Sequence, residues 1–294
     1  MSLRYAWNTN GCAHHRLDDA LAMIADAGYD GVALTLDHNH LDPFAEDWKA
    51  QAERLAARLG ELGLGSVIET GARYLLDPRL KHEPTLISPE PEGRARRIAF
   101  YERATEIAAI LGSETVSFWS GVPREGVERD RAWSWLVDGV ATVAVQAENA
   151  GVEVSVEPEP GMLVETVADW ARLRDDLRSV TEAPVTLALD TGHCLVTGEG
   201  EPADMVRAYA GALGTVAIED MKRGSHVHLP FGQGDMDLPA TLAALREAGF
   251  ARLVTVELSR ESHRAHEAIP EALAALHLAE GRLGEDQLGS MGAL

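Results

Sequence analysis

The sequence has few cysteines. Cys12 and Cys194 are the only two among 294 residues, and they lie far apart with no CxxC spacing. This excludes a disulfide framework and a zinc site built from thiolates, and it fits a reducing compartment.

The sequence also lacks the apolar segments that membranes and export require. No apolar run approaches the roughly 20 residues that a membrane-spanning helix needs. The N-terminal segment MSLRYAWNTNG has no basic region followed by an apolar stretch. We therefore expect no membrane partner and a cytoplasmic location.

Positive charge is scarce. Lysine and arginine number 26 against 47 aspartates and glutamates, which gives a formal net charge of −21. Such a surface repels the phosphate backbone of nucleic acid, so we expect no nucleic-acid partner. The excess acid either keeps the protein soluble or supplies ligands for a metal ion, and charge alone leaves both open.

Biased, repetitive and linker-like segments are absent as well. Hydrophobic residues make up 46% and charged residues 25% of the chain, so it can bury a sizeable core. We expect one domain over residues 1–284 and a loosely ordered C-terminal tail over 285–294. The sequence is compatible with a homo-oligomer but does not specify one.

What the sequence does contain is a regular alternation of short apolar segments and amphipathic helical ones. The apolar segments predict strands at 3–8, 31–36, 64–69, 114–119, 152–157, 185–190, 214–219 and 252–257, with helices at 17–28, 47–63, 95–112, 131–151 and 238–249. Eight βα units of about 37 residues each predict an α/β fold, the (β/α)8 TIM barrel.

Mostly polar residues follow the predicted strands at the C-terminal face, where the active sites of such barrels lie. They are Asn8, Asn10, Asp37, His38, His40, Glu69, Trp119, Ser120, Glu157, Glu159, Asp190, His193, Glu219, Asp220 and Glu257. A single carboxylate at a strand end is commonly a helix N-cap. Glu157, Asp190 and Glu257 together would repel one another unless protons or a cation compensated, so we predict a divalent metal site.

These residues resemble the xylose isomerase-like TIM-barrel superfamily of sugar-phosphate isomerases and epimerases, which also includes the type 2 abasic-site endonucleases. The resemblance covers nearly the whole chain. Its most specific parts are Glu157, the DxxH of Asp190 and His193, the segment GQGDMD at 232–237, and Glu257. It implies that Glu157, Asp190 and Glu257 hold one ion such as Mn²⁺, Mg²⁺, Zn²⁺ or Fe²⁺, and that His193 faces the substrate.

One position departs from the family pattern. The family completes its metal site with a histidine inside the seventh strand, and this chain has Ala217 there. Glu219, a water molecule, or an imidazole of His226 or His228 would have to replace it. Imidazole and carboxylate are ligands that Mn²⁺, Fe²⁺ and Zn²⁺ accept.

The resemblance also implies a reaction. The ion would hold a carbonyl and a neighbouring hydroxyl oxygen and stabilise an enediolate, while Glu157 and Glu257 serve as ligand and base. Arg223 falls where the epimerases keep an arginine that contacts the substrate. Asn8, His38, Glu69 and Trp119 complete the predicted substrate contacts, and Trp7 and Phe231 could add an apolar wall or simply pack the barrel.

Two alternatives stay open. The histidines after the seventh strand favour a metal-dependent phosphodiesterase or other hydrolase related to the endonucleases, although the charge of −21 restricts it to a small substrate. The alanine at position 217 instead favours a barrel that has lost its activity and binds a metabolite without turning it over.

Overall fold

The computed structural model describes the backbone of residues 2–291 and the side chains of residues 2–281. Within these residues the strands are β1 (Arg4–Asn8), β2 (Gly31–Thr35), β3 (Gly65–Glu69), β4 (Val116–Trp119), β5 (Val154–Glu157), β6 (Val185–Asp190), β7 (Leu213–Ile218), β8 (Asp220–Lys222), β9 (Ser225–Leu229) and β10 (Leu253–Val256). All except β8 and β9 are parallel and close into a barrel in the order β1-β10-β7-β6-β5-β4-β3-β2. Each barrel strand overlaps a predicted one, so the TIM barrel is confirmed.

Helices alternate with the barrel strands and cover their outer surface. They are α1 (Leu17–Ala27), α2 (Trp48–Leu62), α3 (Pro91–Leu111), α4 (Arg129–Asn149), α5 (Val167–Leu177), α6 (Thr191–Thr197), α7 (Pro202–Tyr209), α8 (Leu238–Glu247) and α9 (Ala265–Met291). The five predicted helices are present with ends that differ by a few residues. None of the helices in the described part of the chain has both the length and the apolar character needed to cross a bilayer.

The predicted C-terminal tail overlaps the last helix. Helix α9 continues to Met291 and so includes most of the segment 285–294. Residues 292–294 lie outside the described part of the chain. The domain boundary at residue 284 stays a prediction.

The barrel strands are buried on both faces. Strand side chains such as Trp7 and Phe118 are fully buried in the main core between strands and helices, which also includes Trp170 of α5. Small residues occupy the barrel interior, where Ala6, Ala33, Val67 and Leu253 form a separate apolar cluster. Because alternate residues of a strand face opposite sides, the small inward positions leave room for a cavity at one end of the barrel.

An antiparallel hairpin of β8 and β9, which the sequence did not predict, follows β7 directly. Asp220 is buried at its start and accepts hydrogen bonds from the backbone N–H of Gly232 (2.8 Å) and of Met236 (3.0 Å). A Cβ atom at Gly234 would lie only 2.2 Å from Oδ1 of Asp220, so this position has to be glycine. Asp220 thus ties the glycine-rich segment 232–237 to the base of the hairpin.

The long connection of residues 70–90 between β3 and α3 is fastened by a buried arginine. Arg97 is 1% exposed and donates from Nε to the carbonyl oxygen of Pro84 (2.6 Å) and from Nη2 to that of His82 (2.7 Å). Its guanidinium carbon lies 5.0 Å from the ring centroid of Trp119, and the ring of His82 lies at the same distance from Trp119. Arg97 therefore holds this connection against the strand end that carries Trp119.

We expect Arg97→Met to lower the free energy of unfolding by about 2–4 kcal/mol, because the carbonyl groups of His82 and Pro84 lose a buried charged donor. Chemical denaturation followed by circular dichroism measures the change. Arg96→Met on the same helix is the matched control, since Arg96 is exposed, and should stay within about 0.5 kcal/mol of the unchanged protein. Equal stabilities for the two variants would contradict this role of Arg97.

Candidate active site

Acidic side chains gather at the C-terminal ends of four barrel strands. Glu69, Glu157 and Asp190 are the last residues of β3, β5 and β6, and Glu257 directly follows β10. A small cavity lies between them, and its lining also includes Asn8, Ala33, Ser117, Ala188, Thr215, Ala217 and Thr255. The structure therefore brings Asn8 and the four predicted carboxylates to one mouth, as expected of this fold.

Asp190 has two functions at this mouth. It is the N-cap of α6, and its Oδ1 accepts a hydrogen bond from the backbone N–H of His193 at 3.0 Å. Its Oδ2 is buried and makes no well-formed hydrogen bond among the described residues; the nearest donor is Nε2 of His193, at 3.3 Å. Asp190 is therefore a helix N-cap, but this role uses only one of its two carboxylate oxygens.

His193 lies one turn into α6 and is nearly fully buried. Its Nδ1 is 3.0 Å from the carbonyl oxygen of Pro158, which can only accept, so Nδ1 carries a proton. Its Nε2 is 3.1 Å from Nε2 of His226 and 3.3 Å from Oδ2 of Asp190. Burial opposes a charge on His193, but Asp190 and Glu159 outweigh it and raise the pKa of His193 above its usual value.

Burial holds His226 in the neutral state. Desolvation and the neighbouring His193 lower the pKa of His226 to about 4. Glu159, two residues beyond the end of β5, lies 3.8 Å from Nε2 of His226 and 3.7 Å from Nε2 of His193 through its carboxylate oxygens. Glu159 therefore belongs to the site, although no sequence pattern assigned it a role.

The mouth contains more negative charge than the protein alone can stabilise. Burial, followed by repulsion from neighbouring carboxylates, raises the pKa of Glu69, Glu157 and Glu219 well above the usual range. Asp190 is the exception, because His193 and His228 outweigh its burial and lower its pKa. Such a cluster requires protons or a cation for its stability.

Glu219 and His228 approach Asp190 from the seventh strand and from the hairpin. Thr215 and Ala217 line the cavity from β7, and Glu219, two residues further along the chain, lies beside Asp190 and His228. It is fully buried, and neither of its carboxylate oxygens has a hydrogen-bond partner in the described structure. Nδ1 of His228 is also buried and unpaired among the described residues, and it lies 4.0 Å from Oε1 of Glu219.

Among the described residues, three groups of side chains could hold a metal ion, each with ligand atoms within 4.8 Å of one another. They are His193, His226 and His228; Glu157, Asp190 and His193; and Asp190, Glu219 and His228. Carboxylate oxygens and imidazole nitrogens suit Zn²⁺, Mn²⁺ and Fe²⁺. Several of these atoms in the three groups are buried and make no hydrogen bond within the described residues. The residues present therefore fit a divalent cation, whereas Glu257 is in none of the three groups.

Two asparagines support the side of the mouth nearest β1. Asn10 donates from Nδ2 to Oε1 of Glu257 at 2.9 Å, and it has no role in the sequence-based assignment. Oδ1 of Asn8 accepts hydrogen bonds from the backbone N–H of Asn10 and from Oγ1 of Thr35, each at 3.0 Å. Asn8 thus positions Asn10, and Asn10 positions Glu257.

Three predicted substrate contacts lie away from the central cavity. The side chain of His38 is 65% exposed beside Asp37. Arg223 donates from Nη2 to both carboxylate oxygens of Glu201, at 2.7 and 3.0 Å, and is half exposed. Trp119 is buried against His82 and Arg97. Their contacts with a substrate stay predictions, and Trp7, buried against Tyr29, packs the barrel.

Comparison with known proteins identifies the family of the chain. A family model described as xylose isomerase-like TIM barrel matches residues 21–279. The chain belongs to this family. The resemblance inferred from the sequence is thus confirmed.

Relatives within the family include sugar epimerases. An L-ribulose 3-epimerase of Mesorhizobium japonicum is 28% identical over 254 residues, which cover 84% of this chain and 76% of that protein. A solved structure of an L-ribulose 3-epimerase is 24% identical, covers 98% of both chains and has a TM-score of 0.78. The IolI protein, solved with a zinc atom, is 20% identical with a TM-score of 0.76 and covers 94% of this chain and 98% of its own. At these identities the two solved structures show the fold alone.

Proposed function

We propose that the chain is a divalent-metal-dependent epimerase or isomerase of a sugar or sugar phosphate. The observation that carries this proposal is the position of Glu157 and Glu257 on opposite sides of one cavity. Their strands, β5 and β10, are three positions apart around the eight-stranded ring, and Asp190 lies on a strand between them. The relative that is an L-ribulose 3-epimerase supports the same class of substrate.

The reaction class follows from two carboxylates that face the same small volume. A carboxylate on each side of a bound sugar can remove a proton from a carbon beside the carbonyl on one face and return it on the other. Held in place by Asn10, Glu257 is oriented before a substrate arrives. Glu157 approaches from the opposite side, where it lies 3.7 Å from Nδ1 of His193 through Oε1.

The resemblance predicts that Glu157, Asp190 and Glu257 hold the metal ion, with His226 and His228 as candidates for the ligand that Ala217 cannot supply, and the buried Oδ2 of Asp190 supports its part in this set. When bound there, the ion would polarise the sugar carbonyl and stabilise the negative charge of an enediolate. His193 and His226 meet at the same mouth through their Nε2 atoms. A sugar hydroxyl that entered between them would find both a donor and an acceptor.

Solvent exchange tests this proposal without knowledge of the natural substrate. We expect the metal-loaded protein to place deuterium beside the carbonyl of at least one ketose or aldose in D₂O, observed by NMR. Bis-p-nitrophenyl phosphate is tested in parallel for the hydrolase alternative. Hydrolysis of this ester without exchange in any sugar would reject the proposal, and the absence of both reactions would favour the metabolite-binding alternative.

A further inference from the structure

The three histidines at the mouth differ in whether their ring nitrogens already have partners. His193 uses both ring nitrogens, one at the carbonyl oxygen of Pro158 and one at His226. His226 uses its Nε2 in the same contact. Among these three histidines, only His228 has a buried ring nitrogen that lacks a partner in the described structure.

Two carboxylates beside His228 also have unused oxygens. Both oxygens of Glu219 are buried without a hydrogen-bond donor among the described residues, and the donor nearest to the buried Oδ2 of Asp190 is Nε2 of His193, at 3.3 Å, which also contacts His226. Asp190 is 2% exposed and Glu219 is 0% exposed, so bulk water does not solvate these groups. Burying polar atoms without partners is costly, which points to a ligand at this position.

From these contacts we propose that Asp190, Glu219 and His228 form the principal ligand set for the divalent cation. Glu219 and His228 then replace the seventh-strand imidazole that Ala217 cannot supply. This assignment rests on the metal dependence of the proposed function, and it names the ligands within that same mouth. Glu157 and Glu257 are left to act on the substrate.

The position of Glu219 depends on a glycine in the neighbouring helix. A Cβ atom at Gly192, in the first turn of α6, would lie 2.4 Å from Oε1 of Glu219 and 2.7 Å from Cγ of Met221. Gly192 therefore leaves the space that the Glu219 carboxylate occupies beside Asp190. Glu219 lies two residues beyond Ala217, and its carboxylate comes within 4.8 Å of ligand atoms of Asp190 and His228.

The position of His228 depends on the hairpin. Strand β9 pairs with β8 so that Leu229 is opposite Asp220, and the hydrogen bonds of Asp220 fix the segment that follows. The side chain of His228 is 15% exposed, compared with 32% for His226 on the same strand. The hairpin thus places one imidazole inside the mouth and one at its edge.

Metal affinity tests the assignment directly. Isothermal titration of the metal-free protein with Co²⁺ or Zn²⁺ should show affinity at least about 100-fold weaker for Glu219→Gln and for His228→Ala. The visible spectrum of bound Co²⁺ should also change in His228→Ala, because a nitrogen ligand is lost. Glu182→Gln and His266→Ala are matched controls at exposed positions and should bind as the unchanged protein does.

A second variant addresses the possibility of misfolding. Adding Ala217→His to the Glu219→Gln protein should restore affinity to within about 10-fold, because both positions serve the same ion. Failure of this rescue, with circular dichroism unchanged, counts against the assignment.

The outcomes for ligand set and function are distinct. Unchanged affinity in Glu219→Gln and His228→Ala overturns the assignment, and so does a loss confined to Glu157→Gln and Glu257→Gln. In either case the unchanged protein can still show full proton exchange, and the proposed function would then remain intact. Metal binding as expected, without exchange in any sugar, would reject the function and keep the ligand set.

Discussion

Asp190→Asn should remove metal binding and proton exchange together. Asp190 is common to two of the three candidate ligand groups, and its buried Oδ2 makes no well-formed hydrogen bond among the described residues. The amide of asparagine carries no negative charge with which to hold a divalent ion. We expect metal affinity to fall by at least about 100-fold and exchange in D₂O to fall by at least as much. Calorimetry measures the first and NMR the second.

This substitution separates the role of the charge from the role in folding. Asparagine is as good an N-cap as aspartate, so the new amide oxygen can still accept the hydrogen bond from the backbone N–H of His193. Asp237→Asn is the matched control, because Asp237 caps α8 through a 3.0 Å hydrogen bond to the N–H of Ala240 and lies outside the central cavity. The control should keep both metal binding and exchange. If Asp190→Asn also kept both, Asp190 would be only a helix cap.

The barrel was predictable because its signals are local. Each barrel strand is a short, largely apolar run that ends on or near a residue of the predicted site, and helices lie between the strands. The positions of Glu157, Asp190 and Glu257 followed from the rule that parallel strands present their C-terminal ends at one face. This rule needs no knowledge of side-chain contacts.

The supporting residues were not predictable from such rules. The short strand β8 begins two residues after β7 ends, so the sequence contains no separate apolar run for it. The difference in burial between His226 and His228 arises from the pairing of β8 with β9, which local sequence does not encode. Arg97 resembles any arginine of an amphipathic helix, and only the path of residues 70–90 shows why it is buried.

Glu219 illustrates an intermediate case. Glu219 follows the seventh predicted strand, and it was one of the replacements considered for the missing histidine. The sequence could not show that Gly192 leaves room for its carboxylate or that both of its oxygens lack partners within the described residues. These are properties of the packing between α6 and β7.

Glu257→Gln should abolish proton exchange while metal binding persists. Glu257 lies outside all three candidate ligand groups of the described residues, and its carboxylate is held at the cavity by Asn10. Glutamine keeps the size of the side chain and can accept the hydrogen bond from Asn10, but it cannot take up a proton. Loss of a positioned base typically costs about 10²–10⁴-fold, so we expect deuterium incorporation to fall by that factor.

Metal titration of the same variant distinguishes a base from a ligand. Affinity within about 10-fold of the unchanged protein, together with lost exchange, assigns Glu257 to proton transfer; a larger loss of affinity assigns it to the metal. Glu157→Gln is measured in parallel. If two bases act on opposite faces of a sugar, this variant should behave in the same way as Glu257→Gln. Glu182→Gln serves as the exposed control. Full exchange in Glu257→Gln would remove Glu257 from the site, because neither a ligand nor a base can be lost there without effect.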